Sequence, residues 1–401
     1  MLFRFLRSPR FKIVTGISLA LAGMACVIAK SKVDGRWDEM QGRLAEVQAE
    51  LESASNVREP VGGVATEGLA WEAYAEAATW MREHSRGREW ALAMGGVSEA
   101  GAIERRRETN RMASELAVPL AAIQRGARMG DATRPVDWSA GSAPELPQLM
   151  ASSVFVDALT LLGLAELETG QVDSGCARIL DALQFGQDLA LSPMLITQMI
   201  GTSQTVPRSL RTFLEREGLS ALPREGLVQL EQGIGKLIER APVHSQWRGE
   251  LVTFGYALRS ASSGHSELFG IEGFSGSPVG ALAMKWQLAN GVLKVSQIHK
   301  SLEALHGTSY QQRVQELCNE YTESSNPVLS AWRVLGSANA SLRHNLVCAG
   351  QLQRALRRVL ELPELPFPDP FGKPLTETDD GEVMSFHVDN GSNGIELKVK
   401  Y

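Results

Sequence analysis

The sequence predicts a mainly α-helical protein: an irregular helical array, membrane-anchored at its amino end and finished by a small carboxy-terminal β-hairpin. Three observations predict it. Apolar residues recur every three or four positions through most of the chain. Ala, Leu, Glu, Gln and Arg dominate its middle, and all are good helix formers. The segment 363–401 breaks with both patterns, opening on Pro363, Pro366, Pro368, Pro370 and Pro374 and closing on two short strand-like runs.

The amino-terminal segment 1–33 contains no Asp or Glu. Arg4, Arg7, Arg10 and Lys12 precede an apolar run from Ile13 to Ala29, and Lys30, Lys32 and Arg36 follow it. The run is long enough, at about 26 Å as a helix, to cross a hydrocarbon core with its flanks snorkelling. The denser basic flank lies before it, which favours a cytoplasmic amino terminus. We therefore expect a signal anchor: one transmembrane helix in a bacterial inner membrane, with the bulk of the chain periplasmic. A cleaved signal peptide is the rival, since Ala20-Leu21-Ala22 and Val27-Ile28-Ala29 resemble cleavage sites. Lipidation of Cys26 is a third reading, against which Gly23 stands where a large aliphatic residue is preferred.

Residues 34–57 read as a stalk helix. Trp37, Met40, Leu44, Val47 and Leu51 step by three and four for two heptads, as in a coiled-coil seam, and such a seam would pair two copies into a homodimer. Residues 58–68, with a Pro and several Gly, read as a linker. The helical domain is expected over 69–362. Its centre is Leu146 to Leu191, two helices broken at Glu168-Thr169-Gly170-Gln171, where Gly170 suits a helix C-terminus. Gly163, Gly170, Gly175 and Ala182 sit at offsets that look like one tetratricopeptide repeat, although no second clean copy follows and an array needs about three.

Around this hairpin, helices are expected over Leu69 to His84, Glu99 to Arg125, Ser192 to Glu217 with a break at Pro207, Pro223 to Arg240, Pro242 to Ala261, Ala281 to Leu305, Ser309 to Thr322, Val328 to Leu335 and Asn339 to Leu362. Gly126 to Pro147 and Ser260 to Gly280 read as loops, the second carrying Phe269 and Phe274. In the tail, Val383 to Val388 and Ile395 to Tyr401 form the two strands, joined by Asp389-Asn390-Gly391-Ser392-Asn393-Gly394, whose Asn-Gly steps favour hairpin closure. Phe371, Phe386 and Val388 are expected to pack the tail onto the body near Leu360 and Leu362.

The net charge of −6 over 401 residues leaves no electrostatic footprint for nucleic acid. Arg105-Arg106-Arg107, flanked by Glu104 and Glu108, reads as a solvated helix face. Cys176, Cys318 and Cys348 show no zinc spacing; Cys318 and Cys348 would be free to pair in an exported body, and buried thiols are the plainer reading. His299, Glu303 and His306 share one helix face and could hold a divalent metal, though a solvated polar face fits as well. Asp137 reads as a turn or helix cap. No nucleophile elbow, phosphate loop, dinucleotide fingerprint or His-Glu-x-x-His occurs. No catalytic, cofactor-binding or metal residue is assigned.

Gly126-Ala127-Arg128, Pro135-Val136-Asp137-Trp138, Gly170-Gln171-Val172-Asp173 and the tail Asp369-Pro370-Phe371-Gly372-Lys373-Pro374-Leu375 resemble a family of bacterial envelope proteins, common in planctomycetes, with a membrane anchor and a long helical body. The tail also looks like the carboxy-terminal β-region of type II secretion pseudopilins. That likeness implies calcium ligands at Ser385 and Asp389, but Val388 replaces the Gly expected there, and the prepilin-peptidase site is missing. The expected function is a helical scaffold or protein- and peptide-binding module anchored in the inner membrane. The alternatives are an accessory of a type II secretion or pilus-like assembly, and an envelope hydrolase.

Overall fold

The computed structural model describes residues 9–84, 86–136, 138, 149–204, 206–242, 248–262, 278–305, 307–324, 326–330, 332–366, 375–388 and 395–400, with backbone alone at 9–23 and at scattered positions elsewhere. The elements begin with α1 (Pro9–Ser53), β1 (Thr66–Leu69), α2 (Ala70–Glu83), α3 (Arg86–Glu99), α4 (Ala102–Glu115), α5 (Ala117–Ala127) and β2 (Met129–Asp131). Next come α6 (Leu149–Glu168), α7 (Val172–Ala190), α8 (Leu195–Ser203), α9 (Arg208–Arg216), α10 (Arg224–Arg240), α11 (Arg248–Ser262), α12 (Pro278–Glu303), α13 (Gly307–Tyr321), α14 (Pro327–Ser330) and α15 (Trp332–Val359). A three-stranded antiparallel sheet in the order β3 (Leu375–Asp379), β4 (Val383–Val388), β5 (Ile395–Lys400) ends the chain.

Helix α1 is unbroken and changes partners along its length. The described side chains from Met24 to Lys32 are exposed. From Val33 onward the heptad positions Val33, Trp37, Met40, Leu44 and Val47 are buried, against α11 and α12. The Asp34–Lys285, Arg36–Asn290 and Arg43–Ser296 hydrogen bonds ascend together, so α12 runs parallel to α1. The seam that looked available to a second copy is thus filled from within the chain, and the stalk is part of the body. Among the described residues no helix is long and apolar enough to cross a membrane; most side chains of the run Ile13 to Ala29 lie outside those residues.

The segment read as a linker is also held down. Arg58 N–H donates to Gly130 O, Thr66 N–H to Arg128 O, and β1 pairs in parallel with β2. Residues 56–69 therefore form a strap over the body. The run Glu99 to Arg125 is two helices, α4 and α5, parting at Leu116, and α3 lies before them. Pro207 does break the helix expected from Ser192, because a proline there has no N–H to continue it.

The central hairpin is α6 and α7, with Leu146 itself outside the described residues. Gln171 N–H donates to Glu166 O and Gly170 N–H to Leu167 O, a Schellman closure that needs the left-handed φ of +80° at Gly170. The helices approach closely where small residues meet. A Cβ on Gly163 would stand 2.6 Å from Gly175 O, and one on Gly175 would stand 2.7 Å from Gly163 O. Helix α7 then serves two cores. Ile179, Leu180 and Leu183 join α9, α10, α15 and the sheet, while Ala182, Phe185 and Leu189 join α2 to α6.

The tail is a folded cap of three strands, not the two expected. Met384, Phe386, Val388, Ile395, Leu397 and Val399 alternate onto one buried face, each 2% exposed or less, against α9 and α15. Gln351 of α15 donates one Nε2 to both Phe386 O and Ile395 O, tying the sheet to the helix. Strand β3 escaped the sequence because Leu-Thr-Glu-Thr-Asp is a polar edge with no alternating apolar face, which is how exposed edges avoid further pairing. Its turn to β4 uses Gly381 at φ +87°, with Asp380 Oδ1 accepting the N–H groups of Glu382 and Val383. Leu360 is buried as expected, whereas Leu362 is exposed. Phe367, Phe371 and the turn 389–394 lie outside the described residues.

Candidate functional site

Helix α7 is nearly enclosed, yet Asp181, Gln184, Gln187 and Asp188 are all buried on it. Their spacing of three and four puts Asp181, Gln184 and Asp188 on one face. That face is the one the strap covers. Arg58, on the strap, donates Nε to Asp188 Oδ1 at 2.8 Å and Nη2 to Asp188 Oδ2 at 2.6 Å. Tyr74 Oη donates to Asp188 Oδ2 at 2.5 Å, and Gln184 Nε2 to Oδ1 at 2.9 Å. The rest of the Arg58 guanidinium donates to Ala127 O and Gly126 O, the last carbonyls of α5, where the helix dipole also favours a cation.

Burial pushes the Asp188 carboxyl up from its ordinary value, and the Arg58 guanidinium opposes it. Four donors converge on this carboxylate, two of them from the Arg58 guanidinium, and they favour the ionised form against the burial that opposes it. Burial and the Asp188 charge together push Tyr74 well above its usual range, which keeps it a donor. Two turns earlier, Asp181 takes Arg128 Nε at 3.0 Å and Nη2 at 2.7 Å, with Gln124 at 3.2 Å. Gly62 of the strap passes directly over it; a side chain there would collide with the Asp181 carboxylate. Two buried carboxylates thus face two guanidinium groups. Beside them Arg134 donates to Ser192 and Thr197 and lies over the Trp71 ring; burial lowers its pKa to about 10.

Next to the Arg58–Asp188 pair the strap stands off α7 and leaves an open cleft of about 550 Å³, lined by Asn56, Val57, Arg58, Glu59, Gln184, Gln187, Leu191 and Arg240. Arg240 donates to Glu59 O and closes one side. Two of the side chains that line this cleft carry a buried amide atom without a hydrogen-bond partner, Gln184 Oε1 and Gln187 Nε2. One is an acceptor and the other a donor, a helical turn apart. An unpaired buried polar group costs about 1–3 kcal/mol, so a pair of them in one cleft calls for a reason.

The residues singled out from sequence do not assemble into a site. Arg248 hydrogen-bonds His299 and pairs with Glu303, and His306 is outside the described residues. Ser385 sits inside β4, and Asp389 and Asp137 are outside the described residues. No group of three metal-ligating side chains occurs among the described residues. Cys318 and Cys348 are buried and unbridged; Cys348 Sγ accepts from Arg211 instead. Burial, with Asp173 adding to it, pushes the Cys176 thiol up to about 11, so it is a poor nucleophile. Arg105 is not solvated as expected. It is buried, donates to Glu168 and Glu217 at the ends of α6 and α9, and lies over Phe213, leaving only Arg106 and Arg107 on the exposed face.

Sequence reasoning missed Arg58, Tyr74, Arg128 and the cleft. The one visible signal was Asp181, Gln184 and Asp188 recurring on a single face within an otherwise apolar helix. Compared with protein-family models, with curated proteins and with solved structures, the chain found no match in any of the three.

Proposed function

We propose that the protein is a membrane-anchored helical binding module that takes an extended peptide segment of a partner protein in the cleft between strap residues 56–59 and α7. The observation that carries this reading is the unpaired acceptor Gln184 Oε1 beside the unpaired donor Gln187 Nε2. In an extended chain the N–H and C=O of one residue point to the same side, as they do toward a neighbouring strand. Once the two side chains turn their buried amide atoms toward the cleft, one peptide residue brings the donor and the acceptor that they lack. The same physics underlies strand addition elsewhere: main-chain hydrogen bonds supply affinity and nearby pockets supply choice. Arg58, held by Asp188, sets the strap at a fixed height, so the cleft is preformed and binding does not pay to order it.

Anchoring rests on the acid-free basic amino terminus and on the exposure of Met24, Val27 and Ile28 along the outer part of α1. The natural arrangement is one pass through an inner membrane with the body on the periplasmic side.

The test is selection from a random displayed decapeptide library against the full chain in lipid nanodiscs, counter-selected on empty nanodiscs. Enrichment of peptides that cross-link to a photo-reactive residue at Val57 supports the reading. Absence of enrichment, or cross-linking that does not depend on position 57, contradicts it.

A further inference from the structure

The exposed stretch of α1 and the start of α12 meet at one end of the body. Lys30 and Lys32 are exposed on α1, and Val33 is the first buried residue after them. Lys285 of α12 donates to Asp34 at 2.9 Å and lies 5.1 Å from the centre of the Trp37 ring. These contacts pin the early part of α12 beside the point where α1 leaves the body. The next residue, Trp286, is 40% exposed. Because α1 is a continuous helix, the heights of these groups along it follow from its rise. Asp34 lies five residues beyond Ala29, the end of the apolar run, or about 8 Å. A headgroup layer adds roughly 5–8 Å to each side of the hydrocarbon. Trp286 therefore stands at the level of the headgroups whenever the apolar run fills the hydrocarbon.

We infer that this end of the body is a lipid-contacting collar, in which Trp286 of α12 and Lys30 and Lys32 of α1 rest in the headgroup layer of an anionic bilayer. The inference rests on the anchoring proposed above and adds that the body itself touches the membrane in one orientation. The chemistry suits it. An indole has an apolar body and one N–H donor, which is why tryptophan gathers at membrane interfaces. Lysines near a bilayer surface are attracted to anionic headgroups. No acidic residue precedes Asp34, and Asp34 is neutralised by Lys285, so nothing on this end of α1 repels the headgroups.

The experiment uses the full chain with Cys26→Ser, since Cys26 is exposed and the other three thiols are buried. Single nitroxide labels are placed through Val27→Cys, Trp286→Cys and Glu52→Cys, and the protein is put into nanodiscs of phosphatidylcholine and phosphatidylglycerol. Depth is read from collision with oxygen against a water-soluble nickel chelate. The expected result is the Val27 label in the hydrocarbon, the Trp286 label within about 10 Å of its edge, and the Glu52 label about 35 Å beyond it in bulk water. A Val27 label in the hydrocarbon with a Trp286 label as water-exposed as that at Glu52 overturns the collar and leaves the anchor standing. A Val27 label in water overturns the anchor, and the collar with it.

Discussion

Arg58 and Asp188, 130 residues apart in the chain, form a two-point ion pair in which each side chain is at most 3% exposed. The pair joins the strap to the central helix and seats the end of α5. Breaking a buried pair from one side leaves a stranded charge, which costs about 3–5 kcal/mol. Arg58→Met and Asp188→Leu are each expected to destabilise by that order in urea unfolding. The double variant is expected to cost less than the sum, because it strands neither charge. Additive losses would show that the two groups do not act as a pair.

The α6–α7 crossing depends on Gly163 and Gly175 having no side chains. Gly163→Ala puts a methyl 2.6 Å from a carbonyl oxygen that cannot swing away, since it belongs to the α7 backbone. The expected loss is about 1–3 kcal/mol, the usual cost of overpacking. A surface control, Gly96→Ala on α3, has nothing within 4 Å of its new methyl and is expected to be neutral or slightly stabilising. Equal effects at the two positions would remove the packing argument.

The carboxy-terminal sheet is expected to unfold with the body. Phe386 is 1% exposed in the core shared with α9, α10 and α15, so Phe386→Ala should cost about 3–5 kcal/mol. A sheet this small has little stability of its own, and its hold on α15 supplies the rest. Thermolysin should cut the variant between β3 and β5 faster than the wild-type chain, and cutting in the helical body should quicken in step with it. Unchanged unfolding with equal cutting would mean that the sheet is merely tethered.

Asp157 of α6 accepts the N–H and the hydroxyl of Ser209 at the start of α9. Burial raises its pKa above the ordinary carboxylate value. A raised acid contributes stability below its unfolded value of about 4 and loses it as pH rises through the folded value. Asp157→Asn keeps an oxygen for Ser209 and removes that loss. The variant should match the wild-type chain near pH 4 and be the more stable of the two at pH 7. A variant less stable at pH 7 would mean that the carboxylate charge at the start of α9 outweighs its burial.

Much of the helical framework could be read from residue order. The apolar period of Val172 to Leu191, the closing Gly170 and the break at Pro207 all act through local geometry, and local geometry is what a sequence exposes. Helix α3 was overlooked because Gly95 and Gly96 and its charged first turn blur its apolar stripe. The seam of Trp37, Met40 and Leu44 was legible as a stripe, but a stripe does not say what fills it; Leu251, Leu288 and Val292 do, more than 200 residues away. The site was hidden for the same reason. Asp181, Gln184 and Asp188 stand out on an apolar helix, yet Arg58 lies in what reads as a linker and Tyr74 on another helix. Arg105 looked like one of three equivalent arginines until Glu168 and Glu217 were brought to it.

The most direct test of the binding cleft is Gln187→Leu, measured for stability and for affinity toward the selected peptides. Gln187 Nε2 is buried without a partner, so a leucine of similar size is expected to leave the fold equally stable or up to about 3 kcal/mol more stable. The same change removes the donor that a bound peptide carbonyl would need, and Kd should rise at least tenfold, a loss of about 1.4 kcal/mol. A folded, stable Gln187→Leu protein that holds the peptides as tightly as the wild-type chain would contradict the account.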